Sequence, residues 1–244
     1  VVKNGLTIVS TDVKDFSANY LQDKLEDVFD FPVVVSSQQK GDGCITFAAD
    51  KNIPSEGYKL EVTEKGITIT SSDKSGQYYG MQTLLQLFPT EIYSEDDLRL
   101  KEYPIDVLTI EDAPRFAYRG FMLDVSRTFF DLDYLRNYID WMSSHKLNRL
   151  HLHLTDDNGW RIEIKKYPEL TRKGAWRGQN ELLPPTYLSG AERYGGYYTQ
   201  KEMKELIAYA QKRNVMIIPE FDLPGHARSS TAVFGDVTCG THTD

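Results

Sequence analysis

Apolar positions in the first hundred residues switch between helical spacing and strict alternation. Tyr20, Leu21, Leu25, Val28 and Phe29 recur at intervals of three and four, which predicts an amphipathic helix over 16–30. Short β-prone runs follow at 31–35 (FPVVV) and 44–49 (CITFAA). From 57 to 71 the period is two: Leu60 and Val62 alternate with charged residues, Glu64-Lys65-Gly66 turns the chain, and Ile67 and Ile69 resume the apolar face, as in a hairpin. The stretch GQYYGMQTLLQLFP has the spacing of a buried helix that Pro89 ends. A polar connection, EIYSEDDLRLKEYP, leads to a strand from Ile105 to Ile110. These elements predict a small α+β domain over 1–112. Tyr78 and Tyr79 are assigned to packing and the acidic run at 95–97 to a solvated loop.

The pattern changes after Asp112-Ala113-Pro114-Arg115, which reads as a domain boundary, and strands then alternate with helices over 113–244. GFMLDVS (120–126) is strand-like. Asp131 is placed to cap a helix whose stripe is Leu135, Tyr138, Ile139 and Met142. Residues 148–155 form the next strand, with Leu150, Leu152 and Leu154 alternating with His151 and His153. A loop of roughly forty residues, rich in Gly, Pro, Trp and Tyr, has the length of a functional loop. Thr199 and Glu202 predict a capping box opening a helix with Met203, Leu206, Ile207 and Ala210. VMIIPEF (215–221) is almost continuously apolar, as for a parallel strand buried on both faces.

Polar groups follow each of these strands: Asp124 and Arg127, then Asp156 and Asp157, then Glu220, Asp222 and His226. A (β/α)8 barrel and a doubly wound sheet both bring such positions to one edge. No Gly-rich phosphate fingerprint opens a helix, which argues against a nucleotide-binding sheet.

Composition narrows the partners. The 244 residues carry 36 acidic against 28 basic side chains, net −8, and no basic block suits a phosphate backbone, so nucleic acid is not expected. No apolar run approaches the ~20 residues of a membrane span. The N-terminus, VVKNGLTIVS, has neither the basic start nor the apolar core of a signal peptide. Cys44 and Cys239, far apart in sequence, are expected as two unpaired thiols.

Three chemistries fit the polar set. Carbohydrate hydrolysis calls for carboxylates, a hydroxyl clamp and aromatic walls, and Arg127, Asp156, Trp160, Trp176 and the Tyr/Gly-rich segment 194–198 supply such parts. A metal-dependent hydrolase would use His151 and His153, which point the same way from one strand. The third reading makes the histidines core residues and the acids helix caps. Three successive strands with polar ends weigh against it.

The segments RFAYRGFMLDVSRTFF, NRLHLHLTDDNGWRIEI, YGGYYTQKEMKELIAYA and IIPEFDLPGH are similar, in order and spacing, to glycoside hydrolase family 20, the β-N-acetylhexosaminidases. The first domain resembles that family's non-catalytic α+β domain, and its closing GQYYGMQTLLQLFP is typical. The resemblance implies a (β/α)8 catalytic barrel that removes terminal, non-reducing N-acetylglucosamine or N-acetylgalactosamine with retention. The substrate's own acetamido oxygen is the nucleophile, giving an oxazolinium intermediate, and no cofactor or metal is implied. Arg127 matches the arginine that clamps the terminal sugar, a bidentate task that suits a guanidinium. Asp156 and His226 match a supporting pair next to the general acid. Asp157, Trp160, Glu220, Asp222 and His153 are expected to line the site, and the zinc reading of His151 and His153 falls away. Family habit implies a periplasmic, extracellular or lysosomal setting.

Two departures stand out. Thr128 occupies a position where many relatives have His. The family's His-x-Gly-Gly-Asp-Glu motif, with its catalytic Asp and Glu, does not occur, and Gly195-Gly196 is followed by Tyr197. The sequence therefore predicts the first three βα units of a TIM barrel, incomplete at the C-terminus, with the catalytic pair expected beyond Asp244. Such a chain is expected to be inactive alone, and either to bind carbohydrate without cleaving it or to self-associate through its open barrel edge.

Overall fold

Two rows of apolar side chains on one face of a six-stranded sheet organise the first half of the chain. They are seen in a computed structural model that describes residues 2–38, 41–93, 98–186 and 189–237. The chain divides into two compact units, Val1–Ala117 and Tyr118–Asp244.

The first unit contains β1 (Val2–Lys3), β2 (Thr7–Val9), α1 (Phe16–Val28), β3 (Val34–Ser36), β4 (Cys44–Ala49), β5 (Tyr58–Thr63), β6 (Gly66–Ser71), α2 (Lys74–Leu85), β7 (Glu102–Tyr103) and β8 (Leu108–Asp112). Six of its strands form one sheet in the order β3-β2-β4-β6-β5-β8, parallel as far as β6 and antiparallel beyond, while β1 pairs with β7. Register sets Ile8, Ile45, Ile67, Val62 and Leu108 side by side, and Phe47, Ile69, Leu60 and Ile110 in the next row. This face is buried with Leu21 and Leu25 of α1 and Met81 and Leu84 of α2. Asp15 and Asp73 cap the two helices through Ser17 N–H and Gly76 N–H. Gly80 lets α2 lie close against the sheet, since a methyl there would press on the Tyr58 ring. The sequence predicts neither β1 nor β2, which are too short for a period to register. The strand expected from Ile105 instead runs Leu108–Asp112, because its pairing with β5 sets its limits. Cys44 is buried and unpaired, whereas Cys239 and the acidic run 95–97 lie outside the described residues.

The second unit contains β9 (Gly120–Asp124), α3 (Leu132–Ser144), β10 (Arg149–His153), the ribbon β11 (Thr155–Asp156) and β12 (Gly159–Trp160), α4 (Glu169–Arg172), the ribbon β13 (Trp176–Arg177) and β14 (Tyr194–Gly195), α5 (Gln200–Lys212), β15 (Met216–Glu220) and α6 (Arg228–Thr231). β10 lies between β9 and β15 in a parallel sheet. Leu150 and Leu152 are fully buried with Leu135 and Ile139 of α3 and Leu206 and Ala210 of α5. Asp131 caps α3 through Tyr134 N–H, and Thr199 and Glu202 form the capping box of α5. Ile207, expected in the α5 stripe, is exposed, since Met203, Leu206 and Ala210 already define the packed side. β15 was expected to be buried on both faces. Met216 is instead 54% exposed, because β15 is an edge strand with a partner only in β10 among the described residues.

Candidate functional site

Parallel register puts Asp124, His153 and Glu220 on one rung at the carboxyl ends of β9, β10 and β15. Alternation along β10 sends Leu150 and Leu152 to the helices and His151 and His153 to the opposite face. Arg127, three residues past Asp124, turns back over the rung. Its guanidinium meets Asp124 Oδ2 at 2.7 Å and Asp156 Oδ2 at 2.6 Å, and Asp124 Oδ1 accepts its backbone N–H. Asp156, with its side chain 1% exposed, lies under this arginine and also faces His153 Nε2 at 2.7 Å. Its Oδ1 accepts the N–H of Asp157 at 2.6 Å. His153 Nδ1 approaches Glu220 Oε2 at 3.1 Å, and His151 Nε2 approaches the same oxygen at 2.6 Å.

These contacts set the charges. Burial disfavours the imidazolium of His153, but its hydrogen bonds to Asp156 and Glu220 outweigh that and raise its pKa. Burial pushes the Glu220 carboxyl up, and the hydrogen bond and charge of His153 bring it below the usual range. Burial likewise opposes ionisation of Asp124, and hydrogen bonds from the backbone and guanidinium of Arg127 reverse the sign.

His226 approaches Asp156 Oδ1 with Nδ1 at 3.4 Å, from a left-handed backbone with φ of 52° that is uncommon outside glycine. The pairing expected of Asp156 with His226 is thus its longest contact here, after Arg127 and His153. Asp157 is exposed and its Oδ1 accepts the N–H of Arg228. Asp222 donates its backbone N–H to Thr155 Oγ1. An open cleft of about 470 Å³ is bounded by Arg127, Asp156, Asp157, Asn158, Thr186, His226 and Arg228.

Two aromatic expectations change. Trp160 is 8% exposed, packs in the core and donates its indole N–H to the Ile162 carbonyl. Its ring lies 6.2 Å from that of Phe221, and it is not among the residues that bound the cleft. Trp176 lines a different cavity of about 490 Å³, where the Arg193 guanidinium covers its ring at 3.6 Å.

What holds this cleft in shape is a set of contacts between residues far apart in sequence. Arg161 is fully buried, and its guanidinium is spent on backbone carbonyls. It donates to the carbonyls of Val125, Ser126, Ala175 and Gly196 at 2.6–3.2 Å, and to Asn158 at 3.4 Å. Burial, then the charge of nearby Arg177, pulls its pKa down to about 10. Arg177 donates to the Arg127 carbonyl at 2.8 Å and so supports the segment that carries the clamp. Tyr198 Oη donates to the Phe130 carbonyl at 2.7 Å, and Phe129 N–H donates to Tyr194 Oη at 3.0 Å. The one available signal was an arginine set between Trp160 and Ile162.

Two groups of three donors, each within 4.8 Å of one another, have the side chains of a metal site: His153, Glu220 and Asp222, and Asp156, Asp157 and His226. Both nitrogens of His153 already face carboxylates, so ligation there would have to break those contacts.

Residues 116–244 match the family profile described as glycosyl hydrolase family 20, catalytic domain, and residues 1–113 match glycosyl hydrolase family 20, domain 2. A β-hexosaminidase of Porphyromonas gingivalis is 38% identical over 227 residues, covering 91% of this chain and 28% of the relative. One from Vibrio furnissii is 42% identical over 190 residues, covering 78% and 30%. The chain therefore spans less than a third of either relative's length. Among solved structures, an exo-β-N-acetylglucosaminidase of Vibrio harveyi in complex with N-acetylglucosamine superposes with a TM-score of 0.82 at 36% identity, over 97% of this chain and 35% of that one. A mutant Streptomyces plicatus β-hexosaminidase in complex with its product N-acetylglucosamine gives 0.82 at 35% identity, over 98% and 46%.

Proposed function

The chain belongs to glycosyl hydrolase family 20, and from that membership we propose that it forms the sugar-clamping part of a β-N-acetylhexosaminidase site. The substrate is a terminal, non-reducing N-acetylglucosamine or N-acetylgalactosamine of an oligosaccharide or glycoconjugate. In this reading the three βα units of the second half are part of a (β/α)8 barrel, and the cleft lies at the carboxyl ends of its strands. The observation that carries the reading is Arg127, held by Asp124 and Asp156 at the wall of the 470 Å³ cleft. Two carboxylates fix the orientation of its fork, and an oriented guanidinium suits a pair of sugar hydroxyls. Asp156 also faces His226, which holds the imidazole in one tautomer.

Hydrolysis is retaining and substrate-assisted. The acetamido oxygen attacks the anomeric carbon as the glycosidic bond breaks, and water then opens the oxazolinium ion. A carboxylic acid protonates the leaving oxygen, and a second carboxylate steadies the acetamido group. The 244 residues contain no His-x-Gly-Gly-Asp-Glu to supply that pair. The chain alone is therefore expected to bind the sugar and leave the bond intact.

Calorimetry with N-acetylglucosamine tests the clamp. Binding to the chain and its loss in Arg127→Gln are expected, and equal heats from both would refute the assignment. Turnover of a nitrophenyl N-acetylglucosaminide by the 244-residue chain would refute the inactivity. A second reading is self-association. Among the described residues β9 and β15 each pair on one edge only, and Met122 and Met216 are 49% and 54% exposed. A monomeric mass in solution would remove it.

A further inference from the structure

We propose that His153 is a positioning residue carrying a fixed positive charge: an imidazolium clasped between Asp156 and Glu220 that holds Asp156 aimed at His226. Its bearing on sugar binding rests on the function proposed above, and its protonation does not.

A neutral imidazole has one N–H, and its other nitrogen can only accept, while an ionised carboxylate can only accept. His153 sets Nε2 2.7 Å from Asp156 Oδ2 and Nδ1 3.1 Å from Glu220 Oε2, with its side chain 6% exposed. A neutral ring between two carboxylates would press a lone pair against an oxygen without water to separate them. Either the ring carries both protons, or one carboxyl carries one.

Neighbouring donors decide between these. Asp156 Oδ2 also takes the Arg127 guanidinium, and Oδ1 takes the Asp157 N–H. A proton on Asp156 would take up a lone pair beside the Arg127 guanidinium and weaken that charge-assisted contact. Glu220 Oε2 lies against His151 Nε2 as well as His153. The contested proton is thus shared along the line from His153 Nδ1 to Glu220 Oε2. An ordinary histidine holds a proton about two pH units more tightly than an ordinary glutamate, so it belongs on the ring. The upward shift of His153 and the downward shift of Glu220 agree with that placement.

Charge balance gives the device its purpose. Asp124 and Asp156 share the one cation of Arg127. Glu220 and Asp222 bring further negative charge from β15 and the turn after it. His153 supplies a cation in the middle of this set, and His151 faces Glu220 from the outer side. Asp156 Oδ2 is then occupied by two cations, which leaves Oδ1 turned toward His226.

Long-range ¹H–¹⁵N spectra of the 244-residue chain read the ring nitrogens directly. Both nitrogens of His153 are expected in the protonated range above the ordinary histidine pKa of about 6.5. Glu220→Gln, which removes one clasping charge, is expected to move that titration to lower pH. The signal is assigned by its loss in His153→Gln. If that variant does not fold, elimination with His145→Gln, His151→Gln, His226→Gln and His242→Gln assigns it. A single neutral tautomer at or below pH 6.5, or an unchanged titration in Glu220→Gln, would overturn the proposal. A doubly protonated His153 in a chain that fails to bind N-acetylglucosamine would support this proposal while refuting the function above.

Discussion

Removing the guanidinium of Arg161 is the sharpest perturbation the second unit offers. The group ties together the connections after β9 and around residues 158, 175 and 196 through backbone carbonyls alone. Arg161→Met keeps the length and apolar stem and deletes every donor. A buried acceptor left without its partner costs about 1–3 kcal/mol. The Ala175 carbonyl keeps a weak bond from Gly196 N–H at 3.4 Å and the Asn158 carbonyl one from Arg177, so we count the Val125, Ser126 and Gly196 carbonyls as the ones exposed to the full cost. The sum is roughly 3–9 kcal/mol, against a typical domain stability of about 5–15 kcal/mol. With a urea dependence of about 1–3 kcal/mol per molar, the unfolding midpoint is expected to fall by roughly 1–3 M, or the unit to fail to fold. All three tryptophans, Trp141, Trp160 and Trp176, belong to the second unit, so tryptophan fluorescence follows that unit alone. Arg172→Ala, on a side chain 74% exposed, is the control and is expected to change little. A midpoint for Arg161→Met within about 0.3 M of the parent would refute the view that this side chain holds the loops.

Three further outcomes follow from the same contacts. Gly159→Ala would drive a methyl into the Arg161 guanidinium, so its fluorescence midpoint is expected to fall by at least half as much as that of Arg161→Met. Thr199→Ala removes one half of the α5 capping box and is expected to cost about 1 kcal/mol by urea unfolding. Stability of the second unit is expected to be greatest between about pH 5 and 6.5. Glu220 and Asp124, whose carboxyls are held low, contribute above the unfolded carboxylate pKa of about 4, and this is lost as pH falls through their folded values. His153, held high, contributes fully below about 6.5, and this is lost as pH rises through its folded value. A midpoint still rising from pH 7 to 9 would contradict the sign for His153.

The polar ends of the three strands were legible because alternation places His151 and His153 on one face and because each acid follows directly on an apolar run. The helices were legible for a related reason: Asp131, and Thr199 with Glu202, act on neighbours three residues away, within reach of a local pattern. What escaped depends on long-range geometry. Arg161 reaches Val125 and Gly196 across gaps of 36 and 35 residues, and no local spacing encodes that reach. Trp160 is expected as an aromatic wall of the site, yet it belongs to the core of the second unit, a packing that depends on partners distant in sequence. The exposure of β15 was hidden for the opposite reason. An apolar run reports that a strand wants covering on both faces, and says nothing of which neighbours are at hand.

The rung of Asp124, His153 and Glu220 has a consequence for how this site tolerates change. Its lateral spacing is set by hydrogen bonds between strands, which hold neighbouring backbones about 4.8 Å apart whatever the side chains are. The main chain acts as a ruler, and the residues at its marks are interchangeable parts. Charge, proton inventory and hydrogen-bonding sense can be rewritten at these three positions while the distances between them stay fixed.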